Sequence, residues 1–305
     1  MVIWPLFARR QEFIAPAVTE PGAAAGFTLL SANVGNADPA CLPYVVKLCR
    51  RDVEARLAAN IRALRPDVVA LQEVLPDWLC DKYPFAPPGS ACAGARTEPQ
   101  VRRLLGPEYT IVCESRNGFE CLAVRVDVGE IEGCPAGELC TTDRIDRHGA
   151  GCRWNVSVMA ATVRIRGRTF DLVNAHPESR SAACRRDSLR QIFEPDGLVR
   201  EPDVLLLGDF NMDPWREDDV STRYWNQQVG APGAPTYTYH SGVAEHQPPY
   251  PTLRYGLFQR TYDHVVSNFL AGTVLVLGES PGTTRLDGGW GMDHRAVYGR
   301  LSFRH

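Results

Sequence analysis

The sequence predicts an α/β protein, and three observations carry that reading. Val204-Leu-Leu-Leu207 is a short, continuously apolar run suited to a strand buried on both faces. Near the N-terminus a strand, an amphipathic helix and a second strand succeed one another, over Phe27–Asn33, Val53–Leu64 and Asp67–Glu73. At 305 residues the chain can bury a full core within one domain of packed layers.

Residues 1–26, with Pro16, Pro21 and Gly22, read as an irregular lead-in, and 27–305 as a single domain. The first strand ends at Asn33. In the helix that follows, Val53, Leu57, Ile61 and Leu64 share one face, and Pro66-Asp67 closes it. The second strand delivers Glu73. Residues 76–107 read as loops. Two strands, Tyr109–Cys113 and Cys121–Val126, flank Glu114–Glu120, and Gly129–Cys152 reads as a surface excursion pinned by cysteines. Val156–Val163 and Thr169–Ala175 form a hairpin around Arg166-Gly167-Arg168, its second strand delivering His176. A helix over Ala182–Phe193 leads to the apolar run. Residues 214–260, proline-rich and without periodicity, read as a long functional loop. Two last strands are expected near Tyr262–Val266 and Ala296–Leu301.

Composition narrows the function classes. Hydrophobic residues are 44% and charged residues 23%, ordinary for a globular protein. A net charge of −3 excludes a global electrostatic pull toward nucleic acid or anionic membrane. Of 33 basic residues only Lys47 and Lys82 are lysines. No stretch approaches the ~20 apolar residues of a membrane span. The ten cysteines, all between Cys41 and Cys184 and without a CxxC pair, favour disulfides over a zinc ribbon. That implies a secreted or otherwise extracytoplasmic protein, with buried free thiols as the alternative. Cys113 with Cys121 and Cys134 with Cys140 are the local pairings the spacing offers; the others stay open. Val2–Ala8 is too short for a signal core, and Arg9-Arg10 follow it instead of preceding it, so export rests on the cysteines.

Polar, metal-competent residues recur where strands end: Asn33, Glu73, His176, Asp209 with Asn211, Asp263-His264 and Asp293-His294. Each alone has a local explanation, since Asp and Asn favour turns. Buried strands that end six times in an acid, amide or imidazole point instead to one shared site. Spaced i and i+2 on an extended segment, Asp209 and Asn211 would project to the same side and hold a water or a hard cation.

Here the chain resembles the endonuclease/exonuclease/phosphatase superfamily. The matching pieces are Ser31-Ala-Asn33-Val, Leu71-Gln-Glu73-Val, Asn174-Ala-His176, Gly208-Asp-Phe-Asn211, Tyr262-Asp-His-Val265 and Met292-Asp-His-Arg-Ala-Val297, in the family's order. The resemblance implies a four-layer α/β-sandwich of two packed mixed sheets flanked by helices. Arg116-Asn-Gly-Phe-Glu120-Cys-Leu-Ala-Val further resembles the deoxyribonuclease I and neutral sphingomyelinase branch. That likeness makes Glu120 the partner of His176. It implies that Glu73 binds a divalent metal with Asn33 and Asp293 adjoining. Asp263 would orient His294, and Asp209 with Asn211 would position the attacking water or the phosphate. Arg153 is a secondary candidate for a phosphate contact. The signatures of inositol polyphosphate phosphatases and the Tyr-x-Pro-Asn stretch of abasic-site endonucleases are absent.

The chemistry agrees. A phosphodiester repels hydroxide, and a hard cation on oxygen ligands offsets the charge that develops. Mg2+ is expected first, Mn2+ or Ca2+ as alternatives. Two histidines, each held by a carboxylate, supply an acid and a base near neutral pH, in an order the sequence leaves open. The expected activity is therefore a monomeric divalent-metal phosphodiesterase acting on DNA. A phospholipase C of the sphingomyelinase kind, acting on a phospholipid headgroup, is the second reading. A catalytically inactive binding or toxin module of the same fold is the third.

Overall fold

The computed structural model describes residues 13–16, 26–36, 38–83, 86, 88–93, 97–149, 151–152, 157–230, 236–244, 247–255, 257–289 and 291–304. β1 (Gly26–Asn33) leads through a 3₁₀ turn at Pro39–Tyr44 to α1 (Arg51–Leu64). α1 buries Val53, Leu57, Ile61 and Leu64, the stripe read from the sequence. β2 (Val68–Gln72) then returns parallel to β1, pairing Asn33 with Gln72. Residues 76–107 are not all loop. They contain α2 (Asp77–Lys82) and α3 (Gln100–Leu105), each six residues long and so too short to show helical periodicity. β3 (Tyr109–Glu114) and β4 (Cys121–Arg125) pair antiparallel as expected.

The excursion at 129–152 contributes two short strands, β5 (Gly129–Ile131) and β6 (Leu139–Thr142). β7 (Val158–Ile165) and β8 (Arg168–Ala175) form the predicted hairpin, and α4 (Ala182–Phe193) leads to β9 (Val204–Asp209). The region read as a long loop carries α5 (Val220–Gln228), β10 (Thr238–Tyr239), β11 (Leu253–Tyr255) and β12 (Phe258–Arg260). α5 starts on a capping box in which Thr222 takes the place of the usual Glu or Gln, so the sequence signal is weak. Three strands, not two, end the chain: β13 (Asp263–Ser267), β14 (Leu270–Val276) and β15 (Val297–Phe303). β14 exposes Ala271, Gly272 and Thr273 in succession, which hides its alternation.

Two mixed sheets result. One has seven strands in the order β14-β15-β1-β2-β4-β3-β6, the other six in the order β10-β13-β9-β8-β7-β5. The period-2 alternation of each strand sorts side chains into layers. Leu29, Val68 and Ala70 pack with Leu205, Leu207 and Val265 between the sheets. Their sequence neighbours Leu30, Val69 and Leu71 pack outward with Val53, Leu57 and Leu104 of α1 and α3. On the far side Leu206 and Val266 meet Leu189, Ile192 and Trp225 of α4 and α5. The order helix, sheet, sheet, helix is the four-layer sandwich the sequence implied.

All ten cysteines are paired, as Cys41–Cys49, Cys80–Cys92, Cys113–Cys121, Cys134–Cys140 and Cys152–Cys184, which removes the free-thiol alternative. Both local pairings offered by the spacing are present. Five disulfides are the mark of an oxidising, extracytoplasmic setting. Among the described residues no helix is long and apolar enough to cross a membrane.

Candidate active site

Strand direction explains why distant segments meet. β1 and β2 are parallel, as are β8 and β9, so their C-terminal ends share one edge of the sandwich. β4, β13 and β15 run antiparallel to β2, β9 and β1, so their N-terminal ends reach that same edge. Asn33, Glu73, His176 and Asp209 arrive from the first set, and Glu120, Asp263, Asp293 and His294 from the second. Asn33, Glu73, His176, Asp209, Asn211, Asp293 and His294 line one cleft of ≈ 300 Å³. Arg153 lies outside the described residues.

The two histidines are mounted alike. His176 Nδ1 lies 2.8 Å from Glu120 Oε1, and His294 Nδ1 lies 2.8 Å from Asp263 Oδ2. Their Nε2 atoms turn toward a single oxygen, Asp209 Oδ2, at 3.9 and 3.5 Å. Asn33 Nδ2 donates to that oxygen at 3.0 Å. The His176 ring also stands 3.7 Å from Glu73 Oε1. Burial pulls both imidazoles toward the neutral form, but the facing carboxylates outweigh it. His176 is raised above its ordinary value by Glu120, Asp209 and Glu73, and His294 is raised well above it by Asp263, Asp209 and Asp293. Glu120 and Asp263 are themselves pushed up, burial outweighing the imidazole charges. Glu120 Oε2 and Asp263 Oδ1 are buried and accept no hydrogen bond.

The backbone is bent to present these groups. Glu73 sits at φ 63 and Asn211 at φ 51, left-handed conformations uncommon for residues other than glycine. Asn211 is therefore not on an extended segment. Its N–H donates to Asp209 Oδ1 at 2.8 Å in the Asx turn that local chemistry favours, and its amide donates to Pro177 O at 3.0 Å. Asp209 and Asn211 line the same cleft nonetheless. A Cβ added at Gly35 would fall 1.8 Å from Glu73 Oε2, so only glycine lets that carboxylate pack this close to the loop, and the Gly35 N–H donates to Asn33 Oδ1 at 2.9 Å. His264 points elsewhere, as period-2 alternation after Asp263 requires. Its Nε2 lies 2.9 Å from Met212 O, and the ring packs among Phe210, Trp215, Trp225 and Tyr239.

Sequence reasoning missed three parts of the surroundings. Gln72 Nε2 donates to Asn174 Oδ1 at 2.7 Å, and the Asn174 amide donates to Leu71 O and Cys121 O. This buried amide bridge ties the two sheets together just behind the cleft. Glu178, two residues after His176, is buried and lines the cleft. Lys47 lines it too, 3.6 Å from Glu73 Oε1. A lone lysine between two cysteines gives no signal by itself; its rarity in this chain was the available hint.

The Endonuclease/Exonuclease/phosphatase family model matches residues 30–283. No curated protein matches by sequence. Among solved structures, humanized D. rerio TDP2 carrying 14 mutations is similar at 18% identity, over 91% of this chain and 99% of that one, with a TM-score of 0.60. D. rerio TDP2 complexed with single strand DNA product gives 17%, 91%, 99% and 0.59. The human Nocturnin catalytic domain with bound sulfate anion gives 16%, 92%, 95% and 0.56. At such identities these likenesses speak for the fold.

Proposed function

Because the chain belongs to the Endonuclease/Exonuclease/phosphatase family, we propose that it is a secreted, divalent-metal-dependent phosphodiester hydrolase with DNA as its favoured substrate. One observation carries the reading: two carboxylate-held imidazoles aim their Nε2 atoms at one oxygen of Asp209. Hydrolysis needs a proton taken from water and another given to the departing oxygen, and two such rings flanking one carboxylate can do both.

His294, held by Asp263 at 2.8 Å and shifted toward its cationic form, is assigned as the acid that protonates the leaving oxygen. His176 is assigned as the base, and Glu120 stabilises the imidazolium it becomes. Asp209, with Oδ1 held by the Asn211 N–H and Oδ2 by Asn33, orients the water. The donor set also fits a hard cation. Glu73, Asn33 and Asp293 line the cleft together and would offer carboxylate and amide oxygens. Among the described residues no three His, Cys, Asp or Glu side chains form a ready-made cage. An ion held by one or two carboxylates plus amide and water oxygens suits Mg2+ better than Zn2+. When bound it would offset charge on the phosphoryl oxygens. The Glu120–His176 pair supports the deoxyribonuclease I branch in particular, and the D. rerio TDP2 with single strand DNA product is a DNA-bound structure of the same fold.

A second reading keeps the chemistry and changes the substrate to a phospholipid headgroup. It is favoured by the β11–β12 hairpin, whose Leu257 is fully exposed and Phe258 exposed, while Leu253 at its base lines the cleft. Parallel assays on plasmid DNA, sphingomyelin vesicles and a bis-aryl phosphodiester, with magnesium and with chelator, separate the readings. Cleavage of DNA lost on chelation is expected. Cleavage confined to vesicles would move the assignment to the lipase, and inactivity on all three would leave a binding module. His294→Ala should lose less on the bis-aryl ester, whose leaving group needs no proton, than on DNA; equal losses would overturn the acid assignment.

A further inference from the structure

We propose that Lys47 is a phosphate-binding residue of the cleft, and that it makes the binding of a cation at Glu73 and of a phosphate beside it depend on each other. The inference rests on the phosphodiesterase reading and names a contact that reading does not use.

Four observations lead to it. The Lys47 side chain is 2% exposed, and its ammonium stands 3.6 Å from Glu73 Oε1 and 4.4 Å above the Phe119 ring centroid. An ammonium desolvated over an aromatic face is held by the ring's quadrupole and has a fixed position. The loop that carries it is over-determined. Val45 and Val46 both sit at φ 55, a conformation that β-branched residues rarely adopt, and the Cys41–Cys49 disulfide closes the segment around them. Backbone bonds from Val46 N–H to Cys41 O and from Leu48 N–H to Glu73 O fix it against the site. Finally, the cleft is acidic. Glu73, Glu178, Asp209 and Asp293 line it, and Lys47 is the one lysine or arginine among its described lining residues.

The charge arithmetic follows. A divalent ion at Glu73 and an ammonium a few ångströms away repel each other, so Lys47 weakens the hold on the ion when no anion is near. A non-bridging phosphate oxygen that meets both cations relieves the repulsion and is bound by both. Each ligand then raises the affinity for the other, by the same factor in either direction. The choice of residue fits, since a compact ammonium leaves space beside Glu73 that a planar guanidinium would fill by bridging the carboxylate. This chain uses lysine only twice among its 33 basic residues.

The test uses the intact, oxidised protein, Mn2+ and inorganic phosphate. Titration calorimetry gives the Mn2+ affinity with and without phosphate. In Lys47→Met, Mn2+ alone should bind about tenfold more tightly, phosphate in chelator should bind more weakly, and the mutual enhancement should shrink. Unchanged phosphate affinity with tighter Mn2+ would overturn the proposal and leave Lys47 a counter-ion of Glu73. Unchanged affinity for both would overturn it outright. Should the variant not fold, the wild-type protein labelled with 13Cε-lysine answers the question. Of its two lysine signals, that of Lys47 should shift on adding phosphate in chelator, with Lys82 as internal reference, and an unmoved pair would again refute the contact. Hydrolysis of the bis-aryl ester is scored separately, so a failure of the enzymatic reading is seen as such.

Discussion

The two ends of the sandwich treat buried acids in opposite ways. Away from the cleft, acids are paired with arginine and saturated with donors. Asp171 accepts from Arg144 Nη2 at 2.8 Å, Thr162 Oγ1 at 2.7 Å and the Glu201 N–H at 3.0 Å. Asp67, just before β2, accepts from Arg125 Nη2 at 2.8 Å and the Thr28 N–H at 2.7 Å. At the cleft the acids face imidazoles and one another, and two of their oxygens, Glu120 Oε2 and Asp263 Oδ1, go without a partner. A buried carboxylate that is fully bonded contributes to folding; one left short of donors costs stability. The same residue types thus serve structure at one end and chemistry at the other.

Three measurements can break or sharpen that contrast. The largest effect is expected at the cleft. Glu73→Ala, His176→Ala and His294→Ala should each lower kcat by about 10²–10⁴-fold, with the protein still folded and only a small fall in melting temperature. A fall in kcat accompanied by a large fall in melting temperature would mean that the cleft end is structural as well. Next comes the opposite end, where Asp171→Ala leaves the Arg144 guanidinium without its carboxylate. Urea unfolding should report a loss of about 3–5 kcal/mol, while kcat of the folded fraction stays within about twofold of the parent. A comparable loss of kcat would couple the two ends.

The smallest effect is the most diagnostic, because its sign differs between the ends. Although burial works against it, the bonds from Arg144 and the neighbouring backbone hold the Asp171 carboxyl below its ordinary value. Its contribution is therefore fully present above the unfolded value of about 4 and is lost as pH falls through the lower folded one. His294 is raised, so in chelator its contribution is fully present below about 6.5 and is lost as pH rises through the folded value. Asp171→Asn should flatten the acid limb of the stability curve, and His294→Gln the neutral-to-alkaline limb. Flattening on the wrong limb by either variant would refute the charge states assigned here.

The strands that build the cleft were legible because each is an apolar run that stops at a polar residue, as at Leu207-Gly208-Asp209 and Leu71-Gln72-Glu73. Where the layers are thin or the edge is exposed the signal fades. β14 faces solvent over three successive residues, and α2 and α3 last less than two turns. The pairing of Glu120 with His176 spans 56 residues and joins two strands of different sheets, a relation that spacing cannot reveal and family likeness could. Lys47 lay beyond both, since its position depends on a disulfide, two left-handed valines and an aromatic ring supplied by Phe119.

Convergence of strand ends on one edge has an implication for how such a molecule can change. The groups proposed to do the chemistry hang on or beside backbones locked into ladders, whereas the β11–β12 hairpin, whose Leu253 lines the cleft, carries none of them. Grafting a new segment at that hairpin would alter what is recognised while leaving the bond-breaking apparatus in register. Swapped hairpins, more than altered acids, are where a designer should look to retarget this scaffold.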